Sequence, residues 1–388
     1  MHSPLPGLRI GGVVFRSGTK AWPFRSVGRG LIATLVTTAA GVARDAQNLA
    51  PLQTSDFSFV SSGLTLSGVI SQPAQGETKA LIVFVHGYGP TDVRGWNMYA
   101  DLRARFAELG IASATWDKPG QGRSEGSFDV NQPVASSAQE VVDAVADLRT
   151  RQVAGAHRIG IWGISRAGWI APLVIQRDPH IRFWISVSGV TAEDNFLYLL
   201  QSNLPHEGST VAEAEALIQE WKRSFELFRT GASYDEYHAA TRNLRANGYL
   251  ARMLGSGYTR DVYAREQAKL GGAEGARFVD VATGMTIYVA NFDALLANLD
   301  IDVLALFGEK DLNVDWRKTR ALYEATLGRN ARASLTTRTF PDANHNLDVA
   351  ETGSMREMQS KTRRRKSDGY YETQLDWLRR RVLAEGAH

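Results

Sequence analysis

Ser165 lies in the run Gly163-Ile164-Ser165-Arg166-Ala167-Gly168, which could present a nucleophile. A serine hydroxyl is a weak nucleophile, so an enzyme must expose it on a sharp strand-to-helix turn where a base can reach it. Small residues two before and two after the serine permit that turn. Gly163 fits the G-x-S-x-G pattern, whereas Ala167 replaces the second glycine with the mildest alternative. The pattern predicts that Ser165 is a catalytic nucleophile.

A serine nucleophile needs a histidine as base and a carboxylate that orients the histidine. Of the 8 histidines in the chain, His345 follows the last predicted strand, in a loop that could swing over the serine. Asp311 comes four residues after a predicted strand and is expected at the same edge of the sheet. Glu309 and Asp315 are local alternatives, although Asp315 is also placed to cap the next helix. We predict Ser165, Asp311 and His345 as the catalytic residues, in the chain order associated with this turn.

Acyl transfer also needs hydrogen-bond donors for the oxygen that becomes negatively charged, and backbone amides usually supply them. The amide of Arg166, directly after the nucleophile, is one candidate for this oxyanion hole. The other is the amide of Tyr88, in the run His86-Gly87-Tyr88-Gly89 that follows an apolar strand; for His86 a different role is expected. Both side chains are also candidates for substrate binding. The Arg166 cation could favour a carboxylate-bearing substrate, or equally pair with Glu193 or Asp194.

Strand and helix patterns alternate along much of the chain, which predicts a mostly parallel sheet with helices on both faces. An antiparallel hairpin is expected first, at residues 56–60 and 64–70. Further strands are expected at 80–85, 111–116, 158–162, 183–187, 301–307 and 334–340. Helices are expected at 99–109, 136–148, 169–176, 316–327 and 372–383.

The alternation stops at residues 191–298, where the sequence is helix-like and charged, as in 212–228 and 234–247. We interpret this block as a helical lid inserted between strands 6 and 7, which divides the core into residues 55–190 and 299–388. Most aromatic side chains of the lid should pack within it, and the remainder could line an acyl or aromatic pocket: Phe196, Tyr198, Trp221, Phe225, Phe228, Tyr234 and Tyr237. The basic segment 351–369, with Lys361 and residues 363–366, is expected to be a solvated, mobile loop.

The charge of the chain is unevenly distributed. The formal net charge is +3, but residues 1–44 hold six Lys or Arg and no Asp or Glu, and the rest of the chain carries 38 basic and 41 acidic residues. Residues 1–46 resemble a targeting segment, basic at first and then apolar, which predicts export to the periplasm or secretion; without a signal the protein would be cytoplasmic. The absence of cysteine excludes disulfides, thiol catalysis and Cys-ligated metal.

Over residues 56–383 the chain resembles the α/β-hydrolase family. The resemblance is carried by His86-Gly87-Tyr88-Gly89, the turn at residues 117–124, the run around Ser165, residues 308–311, and Asn344-His345. It implies an α/β-hydrolase fold and a Ser-His-Asp hydrolase without cofactor or metal, in which residues 117–124 form a structural loop. The continuations Trp169-Ile170-Ala171-Pro172 and Asn344-His345-Asn346-Leu347 are similar to bacterial esterases related to acyl-aminoacyl and dipeptidyl peptidases.

The preferred hypothesis is therefore a serine hydrolase, a carboxylesterase that acts on a small-molecule acyl ester. A peptidase or amidase would use the same residues. A noncatalytic binding module on this fold would have a damaged set of catalytic residues, and here every such position is filled. No nucleic-acid partner is expected, because the basic runs are confined to the N-terminal segment and one loop. No stable membrane anchor is expected, because the apolar run at residues 31–43 is too short for a membrane span and no cysteine is present to carry a lipid.

Overall fold

The computed structural model describes residues 52–129, 132–250, 259–270, 278–279, 286–361 and 363–384. The predicted targeting segment at residues 1–46 lies outside the described residues. Within the described part of the chain, no helix has the length and apolar character needed to cross a membrane.

An eight-stranded sheet forms the centre of the molecule, with the strand order β1-β2-β4-β3-β5-β6-β9-β10. The first two strands form an antiparallel hairpin that pairs antiparallel with β4, and the remaining neighbours are parallel. This is the mostly parallel sheet that the alternating pattern predicts. The strands are β1 Leu52–Ser61, β2 Leu64–Pro73, β3 Ala80–Val85, β4 Ile111–Trp116, β5 Ile159–Ile164, β6 Ile181–Val187, β9 Asp302–Gly308 and β10 Ser334–Phe340.

Helices cover both faces of the sheet because the inner strands carry apolar side chains on both sides. Every residue of β3 is buried, and alternate residues of the strands enter two separate apolar clusters. One cluster includes side chains of α2 Val134–Thr150, α3 Ala167–Arg177, α9 Phe292–Ala297 and α10 Trp316–Ala325. The other includes side chains of α1 Ala100–Glu108 and α12 Tyr370–Arg381.

Helices also fill much of the segment between β6 and β9, called here the insertion (residues 191–298). They are α4 Phe196–Asn203, α5 Val211–Arg229, α6 Tyr234–Ala240, α7 Arg242–Ala246 and α8 Arg260–Leu270, besides α9. A two-stranded ribbon of β7 Phe278–Val279 and β8 Thr286–Ile287 was not expected from the helix-like pattern. That the insertion acts as a lid stays a prediction.

Two sequence expectations need correction. The helix expected at 234–247 is divided at Thr241, whose hydroxyl donates to the carbonyl of Tyr237 and whose backbone leaves the helical conformation. The basic segment expected as a solvated loop contains the helix α11 Met355–Ser360. Met355 and Met358 of that helix are buried in an apolar cluster with α4 and α5, because the apolar side chains in this charged segment recur at helical spacing.

Candidate functional site

Ser165 lies at the turn between β5 and α3, where the chain reverses from strand to helix. Its φ is +56°, a left-handed conformation that is rare for residues other than glycine. Two hydrogen bonds hold it there: Ser165 N–H donates to the carbonyl of Val187 (2.9 Å), and Gly168 N–H donates to the carbonyl of Ser165 (2.7 Å). A Cβ at Gly163 would lie 2.7 Å from the Cβ of Ala167, so the alanine is accommodated only because position 163 is a glycine.

Asp311 and His345 are brought together on the loops after β9 and β10. His345 Nδ1 lies 2.7 Å from Asp311 Oδ2, and both side chains are buried. The other carboxylate oxygen, Asp311 Oδ1, accepts from the backbone N–H of Asn313 (2.8 Å) and Val314 (2.9 Å). A carboxylate can only accept, so Nδ1 carries the proton and Nε2 of the neutral ring remains available as a base.

The two competing carboxylates of this region are placed differently. Asp315 is the N-cap of α10 and accepts from the backbone N–H of Arg317 and Lys318, as its position in the sequence indicated. The ring nitrogen of His345 is paired with Asp311, and the described hydrogen bonds include none between His345 and Glu309 or Asp315.

The loop after β10 that carries His345, called here the histidine loop (residues 341–350), is fixed by close packing over the end of β9. A Cβ at Gly308 would lie 2.4 Å from the carbonyl oxygens of Ala343 and Asn344, so only glycine allows this approach. Asn344 Oδ1 accepts from the N–H groups of Asn346 and Asp348, which closes the loop around His345. From the end of β6, the Ser188 hydroxyl donates to the carbonyl of His345 (2.7 Å).

The loop at residues 86–89 is secured by one buried and one partly buried side chain. The His86 ring lies between the Tyr99 hydroxyl (3.2 Å from Nδ1) and the carbonyl of Trp116 (2.9 Å from Nε2). Burial lowers the pKa of His86 to about 3, so the ring is neutral and ties the loop to β4. Lys118 Nζ donates to the carbonyl of Gly87 (2.5 Å) and to that of Gly89 (2.8 Å). Lys118 therefore holds the carbonyls of the two glycines that flank Tyr88, and the Gly87 carbonyl belongs to the same peptide as the Tyr88 N–H.

Arg166 is buried, and its side chain points away from the acids of the insertion. Its guanidinium donates to the Ser137 hydroxyl (3.0 Å) and to the carbonyl of Gln132 (2.6 Å), and lies 5.4 Å from the centre of the Tyr88 ring. The described ion pairs include none with Glu193 or Asp194. Arg166 and Tyr88 nevertheless line the cavity that contains Ser165, so a contact with substrate stays a prediction for both.

Side chains of the insertion contact the loops around Ser165 and Asp311. The Tyr288 hydroxyl donates to Asp194 Oδ2 (2.6 Å), and its ring packs on Trp169 with centroids 4.5 Å apart. Burial, followed by the negative charge of Asp194, raises the pKa of Tyr288 well above its usual value. On α4, the Tyr198 hydroxyl donates to the carbonyl of Asp311 (3.0 Å). The insertion thereby contacts α3 beside Ser165 and is hydrogen-bonded to the loop that carries Asp311.

A cavity of about 1010 Å³ is lined by Ser165 and His345 together. Tyr88 and Trp169 contribute to its wall beside the nucleophile, and Phe196, Leu199 and Val314 supply apolar surface. A cavity of this size is at the upper end of the range that takes small organic ligands. A serine on a left-handed turn that shares a cavity with a histidine held by a carboxylate is suited to acyl transfer.

Several positioning residues were missed by sequence reasoning, chiefly Lys118, Ser188 and Ser137. Each acts through hydrogen bonds to residues far away in the chain, and nothing in its own neighbourhood identifies the partner. Lys118 is a partial exception, because a basic residue two positions after a buried strand signals a cation near the functional edge of the sheet. The segment containing Lys118 was assigned no chemistry.

Comparison with known proteins gives two partial matches to full-length sequences. The thiohydrolase apmlB of Arthrinium phaeospermum is 28% identical over 138 residues, which cover 34% of this chain and 42% of that protein. The polyketide transferase claH of Penicillium crustosum is 29% identical over 131 residues, which cover 33% of this chain and 41% of that protein. The chain thus matches less than half the length of each.

Among solved structures, DcsB in complex with a substrate analogue superposes with a TM-score of 0.51 at 12% identity, covering 86% of this chain and all (100%) of that one. An esterase of Pyrococcus furiosus has a TM-score of 0.48 at 14% identity, with 85% and 91% of the two chains covered. At such low identity the likeness concerns the fold alone.

The family comparison covers most of the sheet and both candidate loops. The model of the serine aminopeptidase S33 family matches residues 76–348, a range that includes Ser165, Asp311 and His345. The strand order and the helices on both faces agree with this match. The chain belongs to the serine aminopeptidase S33 family of α/β-hydrolases.

Proposed function

We propose that this hydrolase cleaves carboxylic esters through a triad of Ser165, His345 and Asp311 and an acyl-enzyme intermediate. The observation that carries the proposal is the 2.7 Å contact between His345 Nδ1 and Asp311 Oδ2, in a cavity shared with a serine at φ +56°. The hydrogen bond to Asp311 keeps the ring proton on Nδ1. Nε2 is then the only ring nitrogen that can accept the proton of the serine.

In the first half-reaction, Ser165 Oγ attacks the ester carbonyl and its proton passes to His345 Nε2. The developing oxyanion is stabilised by the N–H groups of Tyr88 and Arg166, and the imidazolium is stabilised by Asp311. The same imidazolium then protonates the departing alcohol, and the acyl group remains on Ser165. In the second half-reaction, water attacks the acyl carbonyl and gives a proton to His345. The bond to Ser165 Oγ then breaks, the imidazolium returns the proton to Oγ, and the carboxylic acid is released.

Amide cleavage by the same residues is the second candidate, because the matching family is named for aminopeptidases. An aminopeptidase needs a carboxylate for the α-ammonium of its substrate. Among the acids that line the cavity, Asp348 is paired with Lys366, and Asp194 accepts from Tyr288 and from the backbone N–H of Phe196. Asp101 lies in the first turn of α1 and is exposed. Because Asp348 and Asp194 already have partners, the cavity favours a substrate without an α-ammonium at the reacting end, and hence the ester.

Turnover of matched substrates tests the proposal. We expect chromogenic p-nitrophenyl esters to be hydrolysed faster than the corresponding p-nitroanilides and aminoacyl p-nitroanilides, with the acyl group held constant. A thioester of the same acid belongs in the panel because one relative is named a thiohydrolase. Faster cleavage of aminoacyl anilides than of esters would replace the ester proposal by the aminopeptidase one.

Lys118 gives a prediction about the loop that carries the amide of Tyr88. Replacing Lys118 by methionine removes the donor to the carbonyls of Gly87 and Gly89. The Tyr88 N–H should then no longer point at the oxyanion. We expect kcat for esters to fall by about 100-fold with a smaller change in KM, because an oxyanion donor misplaced by about 1 Å costs this much. The exposed Lys79→Met variant is the matched control and should behave as wild type.

The same lysine gives a stability signature that a damaged fold would not reproduce. Burial, with the nearby Arg166 charge, lowers the pKa of Lys118 from 10.5 to about 7. The unfolded chain therefore binds more protons between these values, and the free energy of unfolding should rise as the pH increases from about 7 towards 10.5. For Lys118→Met, the free energy of unfolding measured by urea denaturation should rise less steeply with pH across this range. An unchanged kcat and an unchanged pH slope would contradict the assigned role.

A further inference from the structure

The wall of the cavity that contains Ser165 also includes three consecutive cationic side chains, Arg364, Arg365 and Lys366, called here the basic rim. They belong to a run with five basic residues and no acidic residue at positions 361–366. The rim is part of the same cavity as the nucleophile, so a substrate bound at Ser165 can reach it. Sequence reasoning treated the run as a solvated surface loop.

The backbone of the basic rim is anchored on the histidine loop. Val349 N–H donates to the carbonyl of Arg365 (2.8 Å), and Ser367 N–H donates to the carbonyl of Leu347 (3.0 Å). Lys366 Nζ binds the carbonyl of Asn346 (2.7 Å) and Asp348 (2.9 Å). The rim therefore has a defined place next to His345, and Lys366 serves chiefly to hold it there.

The charges of Arg364 and Arg365 are only weakly engaged. The guanidinium of Arg364 is exposed and donates to the carbonyl of Met358 (3.0 Å); of the described residues, no carboxylate forms an ion pair with it. Arg365 contacts Asp368, but 51% of the Arg365 side chain and 89% of the Asp368 side chain are exposed. An ion pair this exposed contributes little and is readily exchanged for another anion.

The acids of the cavity do not neutralise these two cations. Asp348 is paired with Lys366, and both oxygens of Asp194 accept hydrogen bonds. The same cavity is also lined by apolar side chains, including Phe196, Leu199 and Met358. A cavity with apolar walls and two weakly engaged guanidinium groups fits a substrate that combines an apolar body with an anionic end.

We propose that Arg364 and Arg365 form a subsite for an oxyanion group, carboxylate or phosphate, at the end of the substrate remote from the scissile carbonyl. The inference rests on the proposed esterase site and adds the class of substrate. Guanidinium groups suit this role because their planar donors bind carboxylate and phosphate in pairs. Charge-assisted hydrogen bonds of this kind change affinity by about 10- to 100-fold.

The first test compares p-nitrophenyl half-esters of a series of dicarboxylic acids with their methyl-capped neutral counterparts. At the optimal chain length, wild type should show a kcat/KM about 10- to 100-fold higher for the anionic substrate, mainly through KM. The advantage should shrink with added salt. A parallel series of p-nitrophenyl esters with a phosphate at the remote end shows whether the subsite prefers carboxylate or phosphate. Equal kcat/KM for charged and neutral members at every length would overturn the proposal.

The second test uses variants within the run. The double variant Arg364→Gln and Arg365→Gln should lose the preference for the anionic series and leave hydrolysis of the neutral esters within about twofold of wild type. Arg363→Gln is the matched control, because Arg363 is exposed and does not line the cavity. An equal loss on neutral and anionic esters, or the same loss in Arg363→Gln, would contradict a subsite.

A binding measurement separates this inference from the proposed function. In the Ser165→Ala background, calorimetry should give a Kd for the anionic half-ester about 10- to 100-fold lower than for its neutral counterpart. This difference should disappear in Arg364→Gln and Arg365→Gln. Equal Kd values would overturn the subsite even with normal turnover, whereas a lower Kd without turnover by wild type would retain the subsite and reject the esterase.

Discussion

Replacing Ser165 by alanine is expected to lower kcat for p-nitrophenyl esters by roughly a million-fold, because no other group can carry the acyl intermediate. Labelling by a fluorophosphonate probe should be lost at the same time. The fold should survive, since alanine keeps the Cβ, and the strain at φ +56° is no greater than with serine. Ser165→Gly should relieve that strain and raise the free energy of unfolding by about 1 kcal/mol.

The control for this variant is Ser136→Ala, which removes an exposed hydroxyl from α2. It should retain labelling and turnover. Mass spectrometry of the labelled protein locates the modified residue. Labelling of Ser165→Ala at the wild-type rate, or residual esterase activity above a hundredth of wild type, would mean that another residue is the nucleophile.

Replacing Asp311 by asparagine should lower kcat by about 10⁴-fold while leaving the geometry largely intact. The carbonyl oxygen of the amide can still accept from the N–H groups of Asn313 and Val314, as Asp311 Oδ1 does. The amide nitrogen then faces His345 Nδ1 and donates to it. The proton of the ring is forced onto Nε2, where it blocks the acceptance of the proton from Ser165.

Asp315→Asn and Glu309→Gln are the matched controls, because both remove a carboxylate from the same loop. Asp315 caps α10, so its replacement by another good cap should cost only a few tenths of a kcal/mol and leave kcat unchanged. NMR of the imidazole nitrogens should report the tautomer change in Asp311→Asn alone. A larger loss of kcat in Asp315→Asn or Glu309→Gln than in Asp311→Asn would assign the orienting carboxylate differently.

The strands and the order of the candidate residues were accessible from sequence because they depend on local patterns. Continuous apolar runs such as residues 80–85 can only be satisfied by burial on both faces, and a serine flanked by small residues directly after a strand is typical of a nucleophile turn. The loops holding Asp311 and His345 could be placed at one edge of the sheet from the parallel topology alone. Their contact at 2.7 Å required the structure.

The environment of Arg166 was not predictable in the same way. Its cation was expected to contact either substrate, which stays a prediction, or an acid of the insertion. Its hydrogen bonds go to Ser137 and to the carbonyl of Gln132 on the α2 side rather than to such an acid. That partnership depends on how α2 packs against α3, which is a tertiary choice without a sequence signature. The role of Met358 in an apolar cluster with the insertion was hidden for the same reason, within a segment dominated by charge.

Hydrogen bonds from α4 connect the insertion to the loop that carries Asp311 and to the segment that follows the histidine loop. Asn203 donates to the carbonyl of Leu312 (2.9 Å) and accepts from the N–H of Met355 (2.8 Å), and Tyr198 binds the carbonyl of Asp311. Exchanging the insertion for that of a relative would therefore remove supports of the orienting carboxylate together with the pocket wall. The insertion and the loop that carries Asp311 are thus one structural part, and redesign of either must keep these three contacts.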